Sequence, residues 1–113
     1  MAAVLALAAP SAMAESVGTM MRGDYACELP GDALGRGGIH QPQEDFSILA
    51  FSLYDSPQGR GTYLASGNTV TMTSGPRKGD RYRRISPNFL RKLTPEGHDS
   101  VLRCIRRVTN NSD

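Results

Sequence analysis

Residues Gly61 to Ser86 read GTYLASGNTVTMTSGPRKGDRYRRIS. Within this stretch Val70 and Met72 alternate with Thr69, Thr71 and Thr73, the period of two that gives a strand one dry and one wet face. Ser66-Gly67-Asn68 stands on one side of that alternation and Ser74-Gly75-Pro76 with Gly79 on the other. Both are turn chemistry: Gly supplies positive φ, Pro presets φ, and Asn tolerates the left-handed region.

The same grammar continues outward. Upstream, Tyr25, Cys27 and Leu29 oppose Asp24, Ala26 and Glu28; downstream, Leu102 and Cys104 oppose Val101, Arg103, Ile105 and Arg107. Further turns fall at Gly59 to Gly61, Ser86-Pro87-Asn88 and Thr94 to Gly97. Strands are predicted over residues 23–29, 46–53, 60–66, 69–74, 80–86, 89–93 and 100–108. Their spacing of about ten residues is that of an up-and-down antiparallel sheet. In Phe46 to Tyr54, the residues Phe46, Leu49, Ala50 and Leu53 also fit helical spacing after the acidic start Glu44-Asp45. Strand is preferred there because the neighbouring elements are strands and sequential strands usually pair.

The chain has 113 residues, 39% hydrophobic and 21% charged, which is enough for one core. No apolar run approaches the roughly 20 residues of a membrane-spanning helix. Polytopic membrane proteins, long coiled coils and multidomain enzymes are excluded.

The first residues, MAAVLALAAPSAMAES, form an uncharged apolar run ending in Ala12-Met13-Ala14. The small residues at 12 and 14 match the pattern cleaved by signal peptidase, so residues 1–14 read as a secretory signal and the mature protein as periplasmic or secreted. Met1 runs straight into the apolar stretch without the usual Lys or Arg, as it would if translation started upstream. Residues 15–22 and 109–113 are expected to be flexible ends around one domain, residues 23–108.

The two cysteines, Cys27 and Cys104, lie near the two ends of that domain, with no third Cys and no paired His to suggest zinc. In an exported protein they are expected to form one structural disulfide. In a meander, the first and last strands meet only if the sheet curls round and closes, which removes exposed edges. The expected fold is therefore all-β: a small antiparallel up-and-down barrel, a lipocalin-like meander of seven or eight strands with the first and last joined by the disulfide. A two-layer sandwich is the alternative.

Gly61 to Ser86, with Gly23-Asp24-Tyr25-Ala26-Cys27 upstream and Leu102-Arg103-Cys104 downstream, resembles small exported β-barrel proteins of proteobacteria with no established role. Some of these carry the label elongation factor P. That family is about twice this length, has several β domains, acts in the cytoplasm and presents a modifiable lysine on a Gly/Pro/Lys loop. Gly75-Pro76-Arg77-Lys78-Gly79 is the local echo, but a leader, a single domain and a disulfide depart from the pattern, so Lys78 does not inherit the lysine's role. In architecture the chain is also similar to periplasmic inhibitors of lysozymes and metalloproteases. That similarity implies a rival function in which Arg77 and Lys78 enter an acidic pocket of a hydrolase.

The formal net charge of +2 hides a division. Residues 15–59 carry two arginines against seven acids, net −5, whereas residues 60–113 carry eleven Arg or Lys against four acids, net +7. Alternation puts Arg81 and Arg83 on one face of their strand, Arg91 and Lys92 on opposite faces of the next, and Arg103 and Arg107 together on the last. Arg77 and Lys78, at the tip of a turn, with Arg81, Arg83, Arg103 and Arg107 are the candidate binding residues, for an anionic envelope component or a partner protein. Nucleic acid is disfavoured because Tyr82 alone interleaves with the basic residues.

No catalytic constellation, metal-ligand pattern or cofactor motif stands out. His40 and His98 lie in loop-like stretches, and Gly35-Arg36-Gly37-Gly38 lacks the Lys-Ser/Thr ending of a phosphate loop. The expected function is binding by a monomeric, non-enzymatic barrel without cofactor or metal, with hydrolase inhibition or small-molecule carriage as alternatives. The long stretch Pro30 to Gln43 exceeds what a hairpin needs and could be a lid or recognition segment.

Overall fold

The alternation of dry and wet residues becomes a closed meander. The computed structural model describes residues 17–31 and 37–107. The strands are β1 (Val17–Gly18), β2 (Gly23–Leu29), β3 (Ile39–His40), β4 (Phe46–Ala50), β5 (Leu53–Ser56), β6 (Gly59–Ser66), β7 (Thr69–Met72), β8 (Arg81–Ser86), β9 (Phe89–Leu93) and β10 (Asp99–Arg106). Strands β2 and β4 to β10 pair in sequence, every pair antiparallel, and β10 returns to β2 to close an eight-strand barrel. At that seam Cys104 stands directly opposite Cys27 and the two form a disulfide. The proposed leader, residues 1–14, and the tail from residue 109 lie outside the described residues.

Phe46 to Tyr54 is neither one long strand nor a helix. It is a hairpin, β4 and β5, with Ala50 opposite Leu53 and Phe51-Ser52 as the two turn residues. Ser52 takes φ 65°, a conformation usually given to Gly or Asn, so no ordinary turn residue marks this reversal. The extra strand raises the seven predicted segments to eight around the barrel.

The inward residues make an aromatic core. Tyr25, Phe46, Tyr54, Tyr63 and Tyr82 fill the interior together with Val70, Met72 and Leu90, all buried. Tyr25 stacks on Phe46 at 5.1 Å between ring centroids, and Phe46 tilts against Tyr82 at 5.3 Å. Burial raises the phenol pKa of Tyr82 far above its ordinary value. Burial also raises that of Tyr25, against the opposing pull of the Arg106 and Arg84 charges. In the unfolded chain these phenols ionise near pH ~10. Above that pH the unfolded state releases protons that the folded state keeps, so stability falls as pH rises. The Tyr25 and Tyr82 phenols are expected to ionise only with loss of the circular dichroism signal. Ionisation of Tyr25 and Tyr82 near pH ~10 in a still-folded protein, read by variants that replace each with Phe, would contradict this packing.

Both mouths of the barrel are plugged. At one end, residues 19–22, expected to be flexible, instead cross from β1 on β6 to the start of β2. Met20 is buried in the core and its amide donates to Tyr63 Oη at 3.0 Å, while Tyr25 Oη donates to the Met21 carbonyl at 2.8 Å. Arg84 reaches the Thr19 carbonyl at 3.1 Å and Arg106 reaches that of Arg22 at 2.8 Å. An apolar side chain that closes an open barrel end is the reason this segment docks. At the other end sits a 3₁₀ turn, Pro42–Glu44, followed by Asp45. The preceding β3 pairs with β2, so residues 39–43 of the long predicted loop are docked rather than free; residues 32–36 lie outside the described residues.

Candidate functional site

Arg77 is the first sequence-predicted binding residue whose position must be corrected. Its side chain is turned inward and is 6% exposed, so it does not crown the turn and cannot be inserted into a partner. Two glycines bring it there. Gly61 and Gly75 approach so closely that a Cβ on either would collide with the other segment's backbone and with Tyr54 Oη. This contact seats the 73–80 loop, where Tyr54 Oη donates to the Ser74 carbonyl at 2.8 Å and accepts from the Arg77 amide at 3.0 Å. The guanidinium then donates to the carbonyls of Gln43, Glu44 and Asp45 at 2.7, 2.7 and 2.8 Å, and to Gln58 Oε1 at 3.1 Å. It also lies 5.8 Å from the Phe46 ring centroid. Arg77 is thus the latch of the plug made by Pro42–Glu44, and of the turn's two cations Lys78 is the exposed one.

The basic wall does form, and the register gives it an order that alternation alone could not. Arg83 is opposite Arg91, Arg91 opposite Arg103, and Arg103 opposite Glu28, which is in turn opposite His40. Three arginines therefore lie in one row across the outer face of β8, β9 and β10. Like charges directly opposite are unfavourable, and carboxylates hold both ends of the row. Arg83 forks onto Asp99, with Nε to Oδ1 at 2.9 Å and Nη2 to Oδ2 at 2.6 Å; Arg103 Nε meets Glu28 Oε2 at 2.7 Å. The Arg83 hydrogen bonds hold the Asp99 carboxyl below its ordinary pKa.

Arg91, in the middle, has no carboxylate within 4.0 Å among the described residues. Its Nη1 donates to the Ser100 carbonyl at 3.3 Å, its Nε is buried without a partner, and its guanidinium stands 6.0 Å from the Phe89 ring centroid. It is the uncommitted cation of the row. Exposed apolar residues border the row, with Ile85 and Ile105 toward one end of the barrel and Val101 toward the other.

Two other predicted wall residues sit elsewhere. Arg81 is on the outer face but bends to the Pro95 carbonyl at 3.0 Å. Arg107 follows the end of β10, its amide bonds the Asp24 carbonyl at 2.8 Å, and its side chain lines a different depression rather than joining Arg103.

That depression is an open groove of about 550 Å³ over β2, β4 and β5, where the acidic first half of the chain collects Asp24, Asp45 and Asp55. Here Ser47 Oγ bonds Asp24 Oδ1 at 2.7 Å, while His40 Nε2 bonds Asp45 Oδ2 at 2.7 Å. The serine hydroxyl is tied to a carboxylate rather than to the imidazole, so these residues do not make a Ser-His-Asp relay. Asp45 Oδ1 also accepts the Cys27 amide at 2.8 Å, which gives that side chain a structural task beside the seam. Glu44 points away from Asp45, to Lys92 Nζ at 3.1 Å. No group of three or more metal-ligating side chains occurs among the described residues.

No protein family, curated protein or solved structure matches the chain. Arg91 is the residue that sequence reasoning undervalued. Its type and face were legible, but its central place depends on strand register, which no local signal encodes.

Proposed function

We propose that this protein is an exported, non-enzymatic barrel that binds a phosphate-bearing envelope component through the outer face of β8, β9 and β10. The observation that carries this reading is the row Arg83, Arg91 and Arg103, whose outer members are held by carboxylates while Arg91 has none within 4.0 Å among the described residues. A guanidinium presents several N–H donors in a plane and suits bidentate recognition of phosphate or carboxylate oxygens. Neighbours already fixed by Asp99 and Glu28 present that donor set without further ordering on binding. The seam disulfide and the apolar leader support export to an oxidising compartment. Among the described residues, no helix is long and apolar enough to cross a membrane.

The test uses the soluble, delipidated and phosphorylated oligosaccharide of bacterial lipopolysaccharide, with its dephosphorylated form as comparison. Calorimetric titration is expected to show binding of the phosphorylated form only. Arg91→Gln should weaken it about tenfold, the equivalent of one charge-assisted hydrogen bond, and Arg81→Gln should leave it unchanged. Equal binding by wild type and Arg91→Gln, or no preference for phosphate, would remove the reading. Intact Met1 at the amino terminus of the protein from its native host would remove export.

A further inference from the structure

The end of the barrel crossed by residues 19–22 presents a surface that the fold does not explain. Four large apolar side chains are exposed there: Phe51 at 70%, Leu64 at 49%, Met21 at 45% and Leu53 at 43%. The connections place them together. Leu53 pairs with Thr62, two residues from Leu64 on the same outer face, and the Tyr63 amide bonds the Ser52 carbonyl in the turn that carries Phe51. Met21 is held at the same end, because its carbonyl accepts from Tyr25 and its neighbour Met20 is tied to Tyr63.

The same end gathers cations. Arg84 and Arg106 bind the crossing segment through the Thr19 and Arg22 carbonyls, and Arg22 and Arg107 are exposed beside it. None of the four has a carboxylate within 4.0 Å among the described residues. The nearby acid Asp24 is occupied by Ser47. The opposite end differs in balance: Glu44, Asp45, Asp55, Asp80, Glu96 and Asp99 gather there, with Lys92 between Glu44 and Asp80 and Arg60 facing Asp55, although Lys78 and Arg81 have no carboxylate within 4.0 Å among the described residues. Charge is thus polarised along the barrel axis, and the apolar tips lie at the cationic end.

We propose that this end docks on an anionic phospholipid surface, with Phe51 and Met21 entering the headgroup boundary and the arginines meeting lipid phosphates. The occupant follows from the shape and charge of the surface. Apolar tips carried on a turn and a crossing strap suit shallow insertion, and unpaired arginines around them complement anionic headgroups. A Phe at a tight-turn tip packs little of its area against the barrel, so the fold alone gives no reason for an aromatic there. The inference does not depend on the arginine row.

The chain has no Trp, so Phe51→Trp creates a single fluorescent probe at the proposed contact. The protein beginning at Glu15 is the material, since the closed sheet and both plugs lie within residues 17–107. With phosphatidylglycerol vesicles the probe's emission should shift to the blue and be quenched by brominated lipid; phosphatidylcholine vesicles should do neither. Met21→Ser with Phe51→Ser should reduce vesicle co-sedimentation at least tenfold, and Arg22→Gln should reduce it about fivefold. An unchanged thermal melt confirms that each variant is folded. The same rim variants should bind the soluble phosphorylated oligosaccharide normally, so loss at the rim and loss at the wall are read separately. No blue shift with anionic vesicles, or an equal shift with neutral ones, overturns the proposal. A concentration-dependent dimer that shifts the probe without lipid also overturns it, since the occupant would then be a second copy.

Discussion

Replacing both Cys27 and Cys104 by Ala is expected to lower the melting temperature by about 20 °C or more, the larger of the two stability losses argued here. The bridge links positions 77 residues apart, and closing a loop of that length removes denatured-state entropy worth about 4 to 5 kcal/mol in the chain-entropy model. A domain of this size has a total stability of roughly 5 to 15 kcal/mol, so the bridge is a large fraction of it. Its position adds a second reason. Cys27 and Cys104 lie at the seam of the barrel, between Glu28 opposite Arg103 and Ala26 opposite Ile105, where two strands from opposite ends of the chain must find each other. Without the bridge, the pairing of β2 with β10 bears the whole entropic cost of closure. The check is a pair of thermal melts, double variant against oxidised wild type, monitored by far-ultraviolet circular dichroism. Both sulfurs are fully buried, so reductant added to the folded protein should act only after unfolding. A double variant that melts within a few degrees of wild type would show that the seam closes without help.

The barrel was legible because its signals are local and agree with one another. Val70 and Met72 against their threonines, Tyr25 and Cys27 against Asp24 and Glu28, and the Gly/Pro/Asn turns all specify strand faces. The cysteines at the two ends then imply closure, a long-range fact that two residues happen to report. Where local signals fail, the reading fails with them. The Phe51-Ser52 reversal has no Gly, Asn or Pro, so one segment concealed two strands. Residues 19–22 read as a flexible lead-in, and only the open mouth of the barrel explains why Met20 is buried. The basic wall was legible as a face, but its chemistry lies in register. That Arg91 stands between two satisfied arginines depends on β9 being paired on both sides. For Arg77, charge pointed the wrong way. A cation in a Gly/Pro turn reads as an exposed tip, whereas the buried carbonyls of residues 43–45 make it an interior donor.

Those carbonyls make Arg77→Met the second substitution of large expected effect. Methionine fills much of the volume and keeps the contact with Phe46, but it donates nothing. The carbonyls of Gln43, Glu44 and Asp45 would lose their guanidinium donors in a site where water enters poorly, at roughly 1 to 3 kcal/mol for each group left unsatisfied. Because the 3₁₀ turn can swing outward and regain water, the expected loss is about 3 kcal/mol rather than the full sum, with a melting temperature lowered by more than about 10 °C. Lysine should restore less than half of this, since one ammonium cannot span three carbonyls and Gln58 in the plane that the guanidinium occupies. The location of the damage separates this role from general core disruption. Amide exchange should accelerate at residues 41–46 and at Cys27, whose amide depends on Asp45, while the β8, β9 and β10 amides keep their order of protection. Lys92 at the same mouth would lose its alignment with Glu44 as the turn leaves, so the plug and its ion pair should fail together. If Arg77→Met melts with wild type, or exchange quickens uniformly around the barrel, Arg77 is not the latch and the mouth closed by the Pro42–Glu44 turn is held by Lys92 and Tyr54 instead.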